Sequence, residues 1–206
     1  MKGLYAITPD LPDTLELVRR VEQALMGGAA CIQYRNKSAS RELRLQQARA
    51  LAGLCRDRGV PFIVNDHPAL AAELEADGVH IGSDDGPIAA AKSTAGPAKI
   101  VGVSCYNSLP RAEAAQVAGA DYVAFGSFFR SSSKVETVAA PLELLREAKA
   151  RLRLPVVAIG GITARNASQV IEAGADAIAV ISAVFLAPDV REAAQGLAEL
   201  FRGHDE

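Results

Sequence analysis

The chain has 206 residues, half of them hydrophobic, and a formal net charge of −2, which is the make-up of one folded domain able to bury its own core. That near-neutral balance gives no electrostatic footprint for nucleic acid or for an anionic membrane surface. Met1-Lys2 runs straight into an apolar strand, without a signal-peptide pattern or a long apolar span, so a cytoplasmic protein is expected.

Taken in order, the first predicted strand is Leu4–Thr8, closed by Pro9. Asp13 or Thr14 then caps a helix through Leu15, Val18, Val21 and Leu25, stopped by Gly27-Gly28. Strand two, Ala30–Arg35, leads to Asn36-Lys37, and Ser38 or Ser40 opens a long helix ending near Gly59. Strand three, Phe62–Asn65, is followed by Asp66-His67-Pro68 and a short helix over Ala69–Glu75. Strand four, Val79–Gly82, meets the acidic turn Ser83-Asp84-Asp85-Gly86 and a helix over Pro87–Lys92. Strand five, Lys99–Ser104, precedes a helix over Ser108–Ala118. Strand six ends at Gly126, and the longest loop, Ser127–Pro141, separates it from a helix over Leu142–Leu152. Strand seven, Pro155–Ile159, ends in Gly160-Gly161, with a helix from Asn166. Strand eight ends at Ile181-Ser182, and a last helix covers Asp189–Phe201.

Three of these strands share one template. Ala76-Asp77-Gly78-Val79-His80-Ile81-Gly82-Ser83, Ala120-Asp121-Tyr122-Val123-Ala124-Phe125-Gly126-Ser127 and Ala175-Asp176-Ala177-Ile178-Ala179-Val180-Ile181-Ser182 are near-copies. Gly28–Arg35 is a looser fourth, and intervals of roughly 45–55 residues mark repeated supersecondary units. Successive side chains face opposite sides of a sheet. Val79/Ile81, Val101/Val103, Val123/Phe125, Val157/Ile159 and Ile178/Val180 share one phase, suited to covering helices. His80/Gly82, Gly102/Ser104, Ala124/Gly126, Ala158/Gly160 and Ala179/Ile181 share the other, suited to a narrow interior. Eight such units predict an α/β fold, a single-domain (β/α)8 TIM barrel over residues 1–206.

Such barrels carry their chemistry at the C-terminal ends of the strands, and the polar residues collect there. Gln33, Arg35 and Lys37 follow strand two on one face; Asn65 and Asp66 follow strand three. Asp84 and Asp85 follow strand four, Ser104 ends strand five, and Ser131, Ser133 and Lys134 lie in the loop after strand six. Arg35, Lys37 and Lys134, with no acidic run beside them, suit a phosphate or pyrophosphate. Asp66 with Asp85 or Asp84 offers hard oxygen ligands of the kind that hold Mg2+ together with substrate phosphates. Gly160-Gly161 and the Ile181-Ser182 segment offer backbone N–H groups for a second phosphate. The partners expected are therefore small phosphorylated molecules; a homo-oligomer is compatible with the chain, and nothing in the sequence specifies one. Asp77, Asp121 and Asp176 start strands at the opposite end and read as structural, as does His80 in mid-strand. Cys31, Cys55 and Cys105 have no metal or redox spacing and read as three reduced, mostly buried thiols.

Over nearly its whole length the chain resembles the thiamine phosphate synthase family. The residues that carry the resemblance are Gly27-Gly28 with Gln33-Tyr34-Arg35-Asn36-Lys37, Val64-Asn65-Asp66, Asp77–Gly82 through Asp85, and Gly102-Val103-Ser104. Phe125-Gly126 through Ser131-Ser132-Ser133-Lys134, Ala158–Ile162 with Asn166, and Ile181-Ser182-Ala183 complete it. The resemblance implies condensation of a hydroxymethylpyrimidine pyrophosphate with a thiazole phosphate, releasing pyrophosphate. It implies that Gln33 and Ser104 contact the pyrimidine, that Arg35, Lys37, Asn65, Ser133 and Lys134 hold the pyrophosphate, and that Ser131 is among the substrate-binding residues. It further implies Mg2+ on Asp66 and Asp85, and the thiazole phosphate on Gly161, Ile181 and Ser182. Arg35, Lys37, Lys134 and Ser104 are the residues expected to act in catalysis. Ser83, Ser127 and Arg130 depart from the family pattern, as does serine for threonine at 131 and 133. The related thiazole tautomerases resemble the same fold but place a catalytic histidine where Ser127 stands. A non-catalytic phosphate-binding homologue is the other alternative.

Overall fold

The computed structural model describes residues 1–82, 86–130 and 140–202. Its strands are β1 (Gly3–Ile7), β2 (Cys31–Tyr34), β3 (Phe62–Asn65), β4 (Gly78–Ile81), β5 (Ile100–Tyr106), β6 (Tyr122–Phe125), β7 (Val156–Ile159) and β8 (Ala177–Val180). All pair in parallel with their sequence neighbours, and β8 pairs with β1 to close the barrel. The helices among the described residues are α1 (Thr14–Met26), α2 (Arg41–Arg58), α3 (Pro68–Glu73), α4 (Ile88–Ala95), α5 (Leu109–Val117), α6 (Glu143–Arg151), α7 (Ala167–Glu172), α8 (Ser182–Phe185) and α9 (Val190–Glu199). None is long and apolar enough to cross a membrane.

Local chemistry sets the boundaries. Asp13, Ser40, Ser108 and Asp189 each accept a hydrogen bond from the backbone N–H three residues on, which starts α1, α2, α5 and α9. Gly59, at φ 64°, ends α2 in the left-handed conformation that a side chain would disfavour. The repeated aspartates have one job at the bottom of the barrel. Asp77 Oδ2 accepts from Phe62 N at 2.8 Å, Asp121 Oδ2 from Val101 N at 2.8 Å, and Asp176 Oδ2 from Val156 N at 2.7 Å. Each therefore satisfies the first free N–H of the preceding odd-numbered strand, as a structural role requires. The three cysteines are buried and free. Burial pushes the Cys55 and Cys105 thiols up to about 12, out of the reactive range.

The core has two layers. The outer one, between strands and helices, holds Val79, Ile81, Val101, Val103, Val123, Phe125, Ile178 and Val180, on the phase expected for them. Strand β7 reverses the expected phase: Val156 and Ala158 face the helices, while Val157 and Ile159 face the interior. Nor is the interior filled mainly by small residues. Tyr5, Ile7, Ile63, Tyr122 and Val157 occupy it beside Cys31, Ala124, Ala177 and Ala179. Strand β5 extends past Ser104 to Tyr106, with a register shift between those two residues against β6.

Gly102 makes room for one of these rings. A Cβ there would lie 1.9 Å from Tyr122 Cζ, and the ring is walled in on every side at 1% exposure. Gly102→Ala is expected to cost about 2–3 kcal/mol through overpacking. In a chain this long that lowers the melting temperature by roughly 4–12 °C. A thermal melt unchanged from the parent would show that the ring shifts freely.

Candidate functional site

The residues after β2 are held by buried polar groups from the end of β1 and from α2. Thr8, fully buried at the end of β1, donates its hydroxyl to Arg35 O at 2.9 Å and accepts from Arg35 N at 2.8 Å. Gln47, fully buried on α2, accepts from Tyr34 Oη and Asn36 Nδ2 and donates to Leu11 O at 2.8 Å. The segment carrying Arg35 and Lys37 is thus fixed on both sides before any ligand arrives. Asp10, which the sequence reading passed over, pairs with Arg35 Nη1 at 3.1 Å and accepts from Lys37 N at 3.2 Å. No acidic run flanks Arg35 and Lys37 in sequence, yet the fold brings one acid to them. The acid comes from the β1 loop, separated in sequence and adjacent only once the barrel closes.

Asn65 ends β3, paired in register with His80. Asp66 follows it at φ 60°, and its N–H donates to His80 O at 2.8 Å. A non-glycine residue in this region carries a cost of about 1–3 kcal/mol, and aspartate is among the few that tolerate it. The strained turn places a carboxylate at the mouth, directly after the strand.

Across the interior runs a chain of side-chain hydrogen bonds. Gln33 Nε2 donates to Tyr5 Oη at 2.7 Å, and Tyr5 Oη lies 2.8 Å from Tyr122 Oη. Tyr122 Oη lies 2.8 Å from His80 Nδ1, and His80 Nε2 lies 2.9 Å from Ser104 Oγ. The chain joins Gln33 to Ser104, the two residues expected at the pyrimidine. It also gives His80 partners on both ring nitrogens, in accord with its reading as a core histidine. Burial pushes the Tyr5 and Tyr122 hydroxyls well above the ordinary phenol range, so both stay protonated.

The β7 turn is built on close approach. Gly160 and Gly161 have φ 102° and 62°. A Cβ on Gly160 would meet Ser127 Oγ at 2.0 Å, and one on Gly161 would meet Arg130 O at 2.5 Å and Phe129 O at 2.6 Å. The start of the β6 loop lies over these glycines, tied by Phe128 N to Ile159 O and Phe129 N to Gly160 O. Ser127 donates its hydroxyl to Phe129 O at 2.9 Å, so its side chain supports the loop. Arg130 is exposed. Asn166 braces the turn, donating to Gly161 O at 3.0 Å and accepting from Thr163 N at 2.8 Å.

After β8 the chain turns at Ile181 directly into the one-turn helix α8, which the sequence reading left out. The first intrahelical bonds are those of Val184 N and Phe185 N to Ile181 O, so the N–H groups of Ser182 and Ala183 precede them. Arg20 Nη1 donates to Phe185 O and holds the other end of the turn. Asp84, Asp85, Ser131, Ser133 and Lys134 lie outside the described residues. No cluster of three metal-ligating side chains occurs among the described ones.

With this geometry in place, the comparisons with known proteins agree with one another. A family model described as "Thiamine monophosphate synthase" matches residues 4–184. A thiamine-phosphate synthase of Aromatoleum aromaticum is 54% identical, over 98% of this chain and 97% of its own. One of Thiobacillus denitrificans is 55% identical, over 99% and 97%. Among solved structures, a thiamine phosphate pyrophosphorylase from Pyrococcus furiosus superposes with a TM-score of 0.88 at 39% identity, covering 99% of this chain and 97% of that one. An orotidine 5'-phosphate decarboxylase from Pyrococcus horikoshii, with a TM-score of 0.69 at 18% identity, shares the fold alone. The chain belongs to the thiamine monophosphate synthase family.

Proposed function

We propose that this protein is a transferase that joins 4-amino-5-hydroxymethyl-2-methylpyrimidine pyrophosphate to a thiazole phosphate. The products are thiamine phosphate and pyrophosphate. The observation that carries this reading is the assembly at one barrel mouth of two unlike sets of groups. Arg35, Lys37, Asn65 and Asp66 follow β2 and β3, while the Gly161 turn and the start of α8 follow β7 and β8. The first set suits a charged leaving group, the second a phosphate held by backbone N–H groups.

The carbon–oxygen bond between the pyrimidine methylene and pyrophosphate breaks, and its electron pair leaves with pyrophosphate. Positive charge develops on the pyrimidine and negative charge on the leaving oxygen. Arg35, Lys37 and Lys134, with Asn65, Ser131 and Ser133, stabilise that departing charge. The thiazole nitrogen, anchored through its phosphate on Gly161, Ile181 and Ser182, then donates its lone pair to the methylene carbon. No proton is removed from a reacting atom, so no general base is required. Mg2+ fits the donor set. Asp66 sets a hard carboxylate at the mouth beside Asn65, and with Asp85 it would hold the ion against the pyrophosphate oxygens. When bound, the ion neutralises charge on the leaving group. Ser127, engaged with Phe129 O, is no general acid or base, which disfavours a tautomerase that needs a histidine there.

Calorimetry tests the two-pocket reading. Pyrophosphate with Mg2+ and thiazole phosphate are expected to bind independently, and the pyrimidine pyrophosphate to displace only pyrophosphate. Mutual exclusion of pyrophosphate and thiazole phosphate would overturn it.

A further inference from the structure

The interior hydrogen-bond chain ends in two open groups. Among the described residues, neither Gln33 Oε1 nor Ser104 Oγ has a partner beyond those in the chain. The links between them have a direction. A glutamine amide donates only through its nitrogen, so Gln33 Nε2 gives its proton to Tyr5 Oη. Tyr5 has one proton to give, and Tyr122 Oη is a better acceptor than the neighbouring thiol of Cys31. In that order Tyr122 would give its proton to His80 Nδ1, which would leave a neutral ring protonated at Nε2. His80 Nε2 would then donate to Ser104 Oγ, leaving the serine's own proton to point elsewhere. The chain therefore offers an acceptor at Gln33 and a donor at Ser104. Gly102, whose lack of a side chain admits the Tyr122 ring, is part of the same device.

We propose that Tyr5, Tyr122 and His80 are positioning residues that fix the polarity of the Gln33–Ser104 pair, so that the site selects a 4-aminopyrimidine over a 4-oxopyrimidine. The proposal rests on the reading above that Gln33 and Ser104 meet the pyrimidine. A 4-aminopyrimidine presents an exocyclic N–H donor beside a ring-nitrogen acceptor, matching the pair at both ends. A 4-oxopyrimidine presents the reverse, an acceptor beside a ring N–H, and sets its carbonyl oxygen against Gln33 Oε1, which cannot donate; the Ser104 hydroxyl can turn to accept, so the Gln33 end carries the discrimination. Sites built on such hydrogen bonds reject the mismatched analogue strongly, because buried polar groups are left without partners.

Two measurements test this. The first is the tautomer of His80 in 15N-histidine-labelled protein, read by long-range proton–nitrogen correlation. Protonation at Nε2 with bare Nδ1 is expected in the parent, and a mixture in Tyr122→Phe. A parent ring protonated at Nδ1 would overturn the proposed polarity. The second is the ratio of kcat/KM for the 4-amino and 4-oxo pyrimidine pyrophosphates, expected to be at least about a hundredfold in the parent. Tyr122→Phe keeps the ring against Gly102 and is expected to cut the ratio at least about tenfold, chiefly through KM. Tyr5→Phe, which frees the Gln33 amide, should also cut it. Ratios within about twofold of the parent in both variants, whatever their melting temperatures, would reduce the chain to core packing. Should the parent make no thiamine phosphate, the proposed reaction fails. The His80 tautomer, and its response to the free 4-amino and 4-oxo pyrimidine alcohols, would still decide the present proposal.

Discussion

Arg35→Ala is expected to lower kcat/KM for the pyrimidine pyrophosphate by about 100- to 1000-fold, or about 2.7–4 kcal/mol of transition-state stabilisation. Most of the loss should fall in kcat, because the contact strengthens as charge moves onto the leaving group. Two effects add. The guanidinium is removed, and Asp10 keeps its charge in the pocket with no cation at 3.1 Å to balance it. Asp10→Asn in the Arg35→Ala background is therefore expected to restore about tenfold, a coupling of about 1.4 kcal/mol. Folding should be little affected. The pair is partly exposed, at 26% and 36%, where such bridges contribute about 0–1 kcal/mol. The loop is held instead by Thr8 and by the buried Asn36–Gln47 contacts. Steady-state kinetics of the single and double variants check this, and no recovery on adding Asp10→Asn would place Asp10 away from the leaving group. Arg130, exposed beyond the glycine turn, supplies the comparison: its replacement by alanine should cost under about 1 kcal/mol.

Asp66→Asn is expected to raise the Mg2+ concentration for half-maximal rate by at least about tenfold and to slow turnover by about 10- to 100-fold. Asparagine tolerates the left-handed backbone as aspartate does, so the turn and its bond to His80 O should persist. The substitution thus removes charge and leaves shape. Thiazole phosphate affinity should change little. Equal loss of both ligands would assign Asp66 a structural role instead. Kinetics as a function of Mg2+, with calorimetry of thiazole phosphate, separate the two.

The architecture was legible because the chain repeats itself. An aspartate before a strand, bulky residues on one phase and a small residue at the end recur, and the structure gives each feature a cause in strand capping, helix packing or close approach. Strand β7 was misread because Val156-Val157-Ala158-Ile159 is apolar on both phases, so alternation carries no direction there. Helix α8 is a single turn, too short for helical periodicity to register. Asp10 is one acid in a loop, and its pairing with Arg35 exists only through barrel closure. The same holds for the interior chain. Tyr5 and Tyr122 are 117 residues apart, and nothing local in either segment points to the other. The family resemblance names Gln33 and Ser104 together, but their connection through the interior chain needed the fold.

The proposed reaction needs one mouth to bring both phosphorylated halves together for substitution at carbon. The most direct test is to incubate the purified protein with the pyrimidine pyrophosphate and the thiazole phosphate, with and without Mg2+, measuring thiamine phosphate and pyrophosphate together. One pyrophosphate is expected for each thiamine phosphate formed, dependent on Mg2+ and on the presence of both halves. Failure to form thiamine phosphate with both halves and Mg2+ present, or release of pyrophosphate without thiamine phosphate formation, would overturn the proposed reaction.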